Sequence, residues 1–428
     1  MRRSALRTRH WLWHWPATLV RTGAIVWMSC IAFAQSPPTP GSNDGTSTAQ
    51  RSELLARIRV HAIGNLERQP NYTCTETVER SHRLNATHKF QWLDTVRLEV
   101  ALVDGKEMFG WPGARKFEDM DLRNFVSQGA IGNGNFAIHA RAIFRGQGVK
   151  FEDRGDGSTG KQSWVRFTFQ VPLARSGYSL RMGEHKAIVG YHGSFEADPQ
   201  SLDLERIEVI ADDIPLELHL ARAEDRVEYA RTQIGSSEFL LPSASELTMV
   251  DLDGSENRNQ VRFESCRQFA GESVLSFDDP DSSSSPNAPA SIEEIVLPPD
   301  LTLTLALLDE VDLAKAAIGD PVRARLQNDL KSKGRVLLPK NAMATGHITR
   351  VEHHGDAVML GLRFDEIEAP GIRAHPRLRL DEMISADRVP ARASYVLSGV
   401  RPGEGILTLG VGHTRLNRGL LMNWSIQR

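Results

Sequence analysis

Val96, Leu98, Val100 and Leu102 alternate with Arg97, Glu99 and Ala101. A period of two belongs to a strand with one face buried and one in water. Asp104-Gly105 follows at once, a pair that favours a two-residue hairpin turn. Strand-like runs recur in SWVRFTFQV, LERIEVIAD, FLLPSASELTMV and VRFESCRQF. They return in LTLTLALL, where Leu301, Leu303, Leu305 and Leu307 share one face. Many short strands with turn signals between them must pair into sheets. The expected fold class is mainly β with some α: a curved antiparallel half-barrel with helices, then a small β-barrel or sandwich.

The helices have their own signature. Leu55, Ile58, Ala62 and Leu66 are spaced 3, 4 and 4 and fall on one helical face. Ser52 is the expected N-cap and Pro70 the stop. Between Asp121 and Gly146 the texture suggests two short helices split by a glycine-rich break.

The first 34 residues carry Arg2, Arg3, Arg7, Arg9 and Arg21 and no acid, then the apolar run Ala24 to Ala34. Ala32-Phe33-Ala34 fits the small-x-small cleavage rule, so residues 1–34 read as an export signal. A retained anchor is the alternative. Removing five positive charges takes the formal charge from −3 to −8. A mildly acidic chain offers no broad positive field, and no nucleic-acid partner is expected. Periplasm or cell envelope is the expected compartment.

Residues 35–50 read as a flexible leader, 51–277 as the antiparallel sheet domain, 278–291 as a Ser/Pro linker and 292–428 as the barrel domain. Of three cysteines, Cys30 leaves with the signal. Cys74 falls in an early strand of the sheet domain and Cys266 in one of its last. An exported chain keeps disulfides, and a curved sheet can bring its ends together, so a Cys74–Cys266 bridge is expected. Two separate buried thiols are the alternative.

The stretch that most invites a metal is GRVLLPKNAMATGHITRVEHHGD, with His347, His353, His354 and Asp356. On a regular strand His347 and His353 share a face but stand ~20 Å apart. His353 and His354 point to opposite faces. The expectation is no metal site and no cofactor. His185 and His192, an odd number of residues apart, also read as solvated or packed. His139 reads as a packing histidine on a short helix. G-x-S-x-G, H-E-x-x-H, Walker and dinucleotide motifs are missing, so no catalytic residue is assigned.

Two resemblances follow from ordered sets of motifs. LPPDLTLTLALLDEVD, AIGDPVRARL, GRVLLPKNAMATGHI and RGLLMNWSIQ make the C-terminal region resemble the barrel domain of TrbI-type conjugal-transfer proteins. That likeness implies a barrel; the chain lacks the family's long membrane-crossing insertion. The early amphipathic helix and the hairpin GSFEADPQSLDLERIEVIAD make the N-terminal region resemble the LolA-type lipoprotein-carrier fold. The whole plan resembles exported two-domain proteins of acidobacterial type.

That likeness implies an apolar concavity under helices, and Trp92, Phe109, Trp111, Phe125, Phe136 and Phe144 are its candidate lining. The functional expectation is a non-enzymatic envelope protein that binds a lipid, an acylated protein or another envelope protein. Its alternatives are a hydrolase with a site assembled from distant residues, and a purely structural envelope component. The sequence sets no oligomeric state.

Overall fold

A computed structural model describes residues 44–113, 117, 136, 138–159, 162–182, 185–269, 292–354, 357–384, 390–391, 402–410 and 415–428. The expected signal, the linker 278–291, Phe125 and Asp356 lie outside the described residues. The chain is mainly β, with one strongly curled half-barrel sheet.

Helix α1 (Asp44–Arg68) starts eight residues before Ser52, so Ser52 is an interior residue and not the cap. Residues 44–50 of the expected leader are its first turns. They include no proline, and residues 48–50 are solvent-exposed polar or small positions that packing does not restrict. The 3-4-4 stripe does what its spacing requires: Ile58, Ala62 and Leu66 are buried. They pack on Val165, Phe167, Phe195 and Ile207 of the sheet below.

That sheet uses ten of the twelve strands described before residue 270. In chain order they are β1 (Tyr72–Arg83), β2 (Gln91–Val103), β3 (Lys106–Gly110), β4 (Lys150–Thr159), β5 (Gln162–Val171), β6 (Ser179–Met182), β7 (His185–Ile188), β8 (Gly190–Ala197), β9 (Leu204–Asp212), β10 (Leu220–Ile234), β11 (Ser237–Asp251) and β12 (Glu256–Gln268). β6 and β7 form a separate hairpin, and the second helix, α2 (Ile138–Arg145), precedes β4. The sheet order is β3-β2-β1-β12-β11-β10-β9-β8-β5-β4. Asp104 and Gly105 make the β2–β3 turn with φ of 50° and 80°, the left-handed pair that a twisted hairpin needs.

Because β1 pairs with β12, the two ends of this sheet's sequence are neighbours. At a register shift beside Thr73 and Thr75 the expected bridge forms: Cys74 and Cys266 are disulfide-bonded, with Cα atoms 4.1 Å apart. Ser265, at φ 53°, takes the left-handed backbone of the bulge.

The C-terminal strands are β13 (Glu293–Ile295), β14 (Thr302–Leu307), β15 (Val311–Asp312), β16 (Pro321–Leu326), β17 (Leu330–Ser332), β18 (Arg335–Leu338), β19 (Met343–His354), β20 (Ala357–Ala369), β21 (Ile372–Ala374), β22 (Leu378–Ile384), β23 (Pro390–Ala391), β24 (Gly405–Gly410), β25 (Arg415–Leu416) and β26 (Leu421–Ile426). Their main sheet runs β13-β21-β20-β19-β16-β14-β26-β22-β23, with β24 also on β20. The last strand, β26, pairs with the early β14, so the strand Leu303-Leu305-Leu307 is covered on both edges. The core centres on Trp424, fully buried, with Phe364 edge-on at 5.4 Å. Gly405 is needed there, since a Cβ would lie 2.4 Å from the Trp424 ring.

Residues 48–428 form one compact unit. Its two sheets meet through the turn before β16. Ile318 bridges Val96 in parallel, with Arg97 N donating to Ile318 O at 2.7 Å and Ile318 N to Thr95 O at 2.8 Å. The Ile318 side chain is fully buried with Val96, Leu98 and Phe109 of the N-terminal sheet. Gly319 follows at φ 97°, and a Cβ there would strike the Arg97 carbonyl and the Trp111 ring. Arg97 pairs with Asp320 across the same junction.

Candidate functional site

The histidines of the stretch that invited a metal, His347, His353 and His354, resolve into packing roles. A register shift between Ile348 and Arg350 breaks the regular alternation of β19. His347 and His353 therefore do not share a face as a regular strand would require: His347 is buried and His353 exposed. The His347 ring stacks on Trp111 at 4.3 Å, and its Nδ1 lies 2.8 Å from an Asp365 carboxylate oxygen. His353 meets the Trp92 ring edge-on at 5.2 Å, and His354 pairs with Glu352 at 3.0 Å. Among the described residues no three His, Cys, Asp or Glu side chains come together as a metal would need.

Those contacts also separate the aromatic residues expected to line one concavity. Trp92 and Trp111 face the C-terminal sheet. Phe109 and Phe136 lie together in the cluster around the disulfide, where Phe136 packs on Tyr72 at 5.0 Å and Phe263 at 5.1 Å. Phe144, on α2, belongs to the cluster under α1, against Phe195 at 5.1 Å. The inner face is thus apolar at both ends, with α1 and α2 lying over its aromatic half.

Between the ends runs a polar string that the sequence reading missed. On β1 the inward residues are Tyr72, Cys74, Glu76, Val78 and Arg80, all buried. Arg80 closes the row with a buried ion pair: its Nε donates to Asp94 Oδ1 at 2.7 Å. On β10 the inward row is Ala223, Asp225 and Val227, then Tyr229. From α2, His139 reaches Asp225 at 2.8 Å while buried beneath the helix, and its ring meets Tyr178 edge-on. This makes the packing histidine of the sequence reading one half of a buried His–Asp pair. Arg141, one face along on α2, donates from Nη2 to the Leu66 carbonyl at 3.3 Å and to Gln69 Oε1 at 3.1 Å. That ties its cation to the C-terminal end of α1, where the helix dipole favours positive charge.

The electrostatics follow from burial. Glu76 sits between Leu98 of β2 and Phe263 of β12 in register. Loss of water, with the nearby Glu107 carboxylate second, pushes its carboxyl up to about 8. Burial raises the Tyr72, Tyr178 and Tyr229 phenols well above their ordinary range, helped by Glu107 or Asp225. Burial also holds the Tyr191 phenol at about 12. Tyr72 Oη, Glu76 Oε2 and Asp225 Oδ1 have no hydrogen-bond partner among the described residues. Buried polar atoms are normally paired; these three lie on the inward rows of β1 and β10.

A pH dependence follows. In the folded chain Glu76 is neutral up to about 8, whereas its ordinary value is 4.5. The unfolded chain therefore releases this proton first as pH rises, and stability falls across that window by ~1.4 kcal/mol per pH unit at the steepest. Urea denaturation at pH 5 and pH 8 should show the protein more stable at pH 5. Glu76→Gln should flatten the difference. An unchanged pH profile in the variant would assign it elsewhere.

A surface groove of about 440 Å3 lies on the outer side of α1, lined by Glu53, Ala56, Arg57, Val60, His61 and Leu202. His61 is held there by Asp203 at 2.8 Å. No described helix is long and apolar enough to cross a membrane. Comparison with protein-family models and with curated proteins finds no match to this chain.

Proposed function

We propose that this is an exported, non-enzymatic protein of the cell envelope whose half-barrel takes the apolar chain of a lipid or an acylated protein partner. One observation carries the reading. Among the described residues, the concave, aromatic face of the half-barrel, with Phe167, Phe169, Tyr191 and Phe195, lies under two helices, and the β6–β7 hairpin covers the face further along, at Ala223. A helix of eight residues such as α2 is marginal by itself and owes its place to packing. It is the shorter of the two covers, and an entering chain would have to break its His139–Asp225 pair. Displacing it opens a groove walled by Phe195, Phe167 and the edge of Tyr191. The likeness to the lipoprotein-carrier fold supports the same reading, and the C-terminal barrel then serves attachment or assembly.

Native mass spectrometry tests this on protein purified from its own envelope without detergent. The expected result is one acyl-bearing adduct per chain, displaced by a fluorescent apolar probe. Protein free of adduct that also fails to bind the probe would overturn the proposal. Turnover of the bound lipid into its hydrolysis products would replace it with the hydrolase reading.

A further inference from the structure

We infer that one rim of the half-barrel docks on a lipid bilayer with zwitterionic headgroups, through the exposed apolar tips Leu84, Leu173, Ile188, Leu216 and Leu252. This goes beyond the acyl-binding reading, because the rim is an observation separate from the covered face. It names the surface from which an acyl chain would be drawn.

Register defines the rim. Arg83 pairs with Glu256, Leu220 with Asp251, Gly190 with Asp212 and Val171 with Tyr191. These ends of β1, β12, β11, β10, β9, β8 and β5 therefore lie side by side. Each strand-to-strand connection leaving them carries a large apolar side chain that is more than half exposed. Leu84 follows β1, Leu252 lies in the β11–β12 turn, and Leu216 lies between β9 and β10. Leu173 and Ile188 lie between β5 and β8, Ile188 on the β6–β7 hairpin. At the opposite rim the β2–β3, β8–β9 and β10–β11 turns carry no exposed large apolar side chain among the described residues. From β1 to β5 the docking rim spans six strand spacings, ~29 Å along the curl.

The spacing favours a fluid partner. The turns that carry these tips stand two strand spacings apart, ~10 Å. A folded protein would need a separate pocket matched to each. Apolar burial is non-directional, so in a bilayer each tip enters wherever it falls. Charge selects the lipid. Histidines aside, the exposed charged side chains described on these connections are Lys89, Arg175 and Lys186 against Asp213, Glu217 and Asp253. Anionic leaflets are read by clusters of Lys and Arg, whereas this rim carries both signs in equal number, as zwitterionic headgroups do. The rim also adjoins the aromatic face. The β6–β7 hairpin packs on Leu218, Leu220 and Ala223 just inside it. Tyr178 belongs to that cluster and to the one under α1 and α2, and it meets Tyr191 at 5.7 Å. Apolar packing is thus continuous from the rim to the proposed acyl site.

The test uses the full chain and phosphatidylcholine vesicles whose acyl chains carry bromine, a contact quencher of indole. Leu216→Trp puts an indole at one tip, and Ser236→Trp puts one on the β10–β11 turn of the opposite rim. Read as the difference from the unaltered chain, the fluorescence added by Leu216→Trp should be quenched, and that added by Ser236→Trp should not. The quenching should be the same at low and high salt, because apolar burial and not charge holds the rim. Adding Leu173→Ser and Leu252→Ser to Leu216→Trp should raise the lipid concentration for half quenching by about tenfold or more, the scale of one leucine side chain left in water. All these positions are exposed, so the denaturation midpoint should not move. No quenching of Leu216→Trp, equal quenching at both rims, or quenching confined to anionic vesicles and lost in salt would overturn the docking rim. So would a dimer in solution that Leu216→Ser separates, since the rim would then join two copies of the chain. Binding of an apolar fluorophore to the same samples keeps the two proposals apart. A quenched rim without fluorophore binding supports docking and removes the acyl reading; fluorophore binding with an unquenched rim removes docking alone.

Discussion

Replacing Cys74 and Cys266 together with alanine should lower the stability of the chain by about 5 kcal/mol, the figure that loop entropy assigns to so long a closed loop. The bridge joins residues 192 apart in sequence yet seated on neighbouring strands. Its action falls on the unfolded chain, which loses the freedom to separate β1 from β12. In the folded state the loss is small, because the β1–β12 ladder and the packing of Phe263 and Tyr72 on Phe136 remain. The signature is therefore a large drop in the denaturation midpoint with little change in the folded spectrum. A drop below 1 kcal/mol would mean that the reduced, unfolded chain already holds these two strands together.

Breaking the Arg80–Asp94 pair should have the next largest effect. Both side chains are almost wholly out of water, at 2% and 9% exposure. Two parallel hydrogen bonds join them across the β1–β2 register. Arg80→Met leaves a buried carboxylate with its main partner gone, which costs about 3–5 kcal/mol. The double change Arg80→Met with Asp94→Leu should recover most of it, since an apolar pair of similar volume carries no desolvation penalty. A double variant no better than the single one would place the loss in packing and not in charge. Chemical denaturation of the unaltered chain and the two variants separates the cases.

The strands that were legible in the sequence are those whose inner face is apolar without exception. Val96 to Leu102 and Leu301 to Leu307 alternate cleanly, and both are strands. β10 was hidden because its inner row reads Ala223, Asp225, Val227 and Tyr229, so a buried acid breaks the hydrophobic period. β4 was hidden because KFEDRGDGST is an edge strand, bulged around Gly155 at φ 90°, and its pairing with β5 outweighs its poor propensity. The candidate site failed for the same reason as β10. Apolar side chains announce burial; Glu76 and Asp225 are buried by their neighbours and look like surface residues in one dimension. Trp92 and Trp111 were legible as important but not as contacts for histidines more than two hundred residues away. The bulge in β19 has no local signal, and it decides that His347 and His353 fall on different faces, with His347 against Trp111.

Ile318 also bears on how the molecule is made. A chain synthesised from its N-terminus completes β12 some fifty residues before Ile318 exists. At ~5–20 residues per second that is an interval of seconds. Throughout it the notch of Val96, Leu98 and Phe109 that Ile318 later fills stands without its plug. The part of this protein longest at risk of a wrong partner during biogenesis is therefore the half that is finished first.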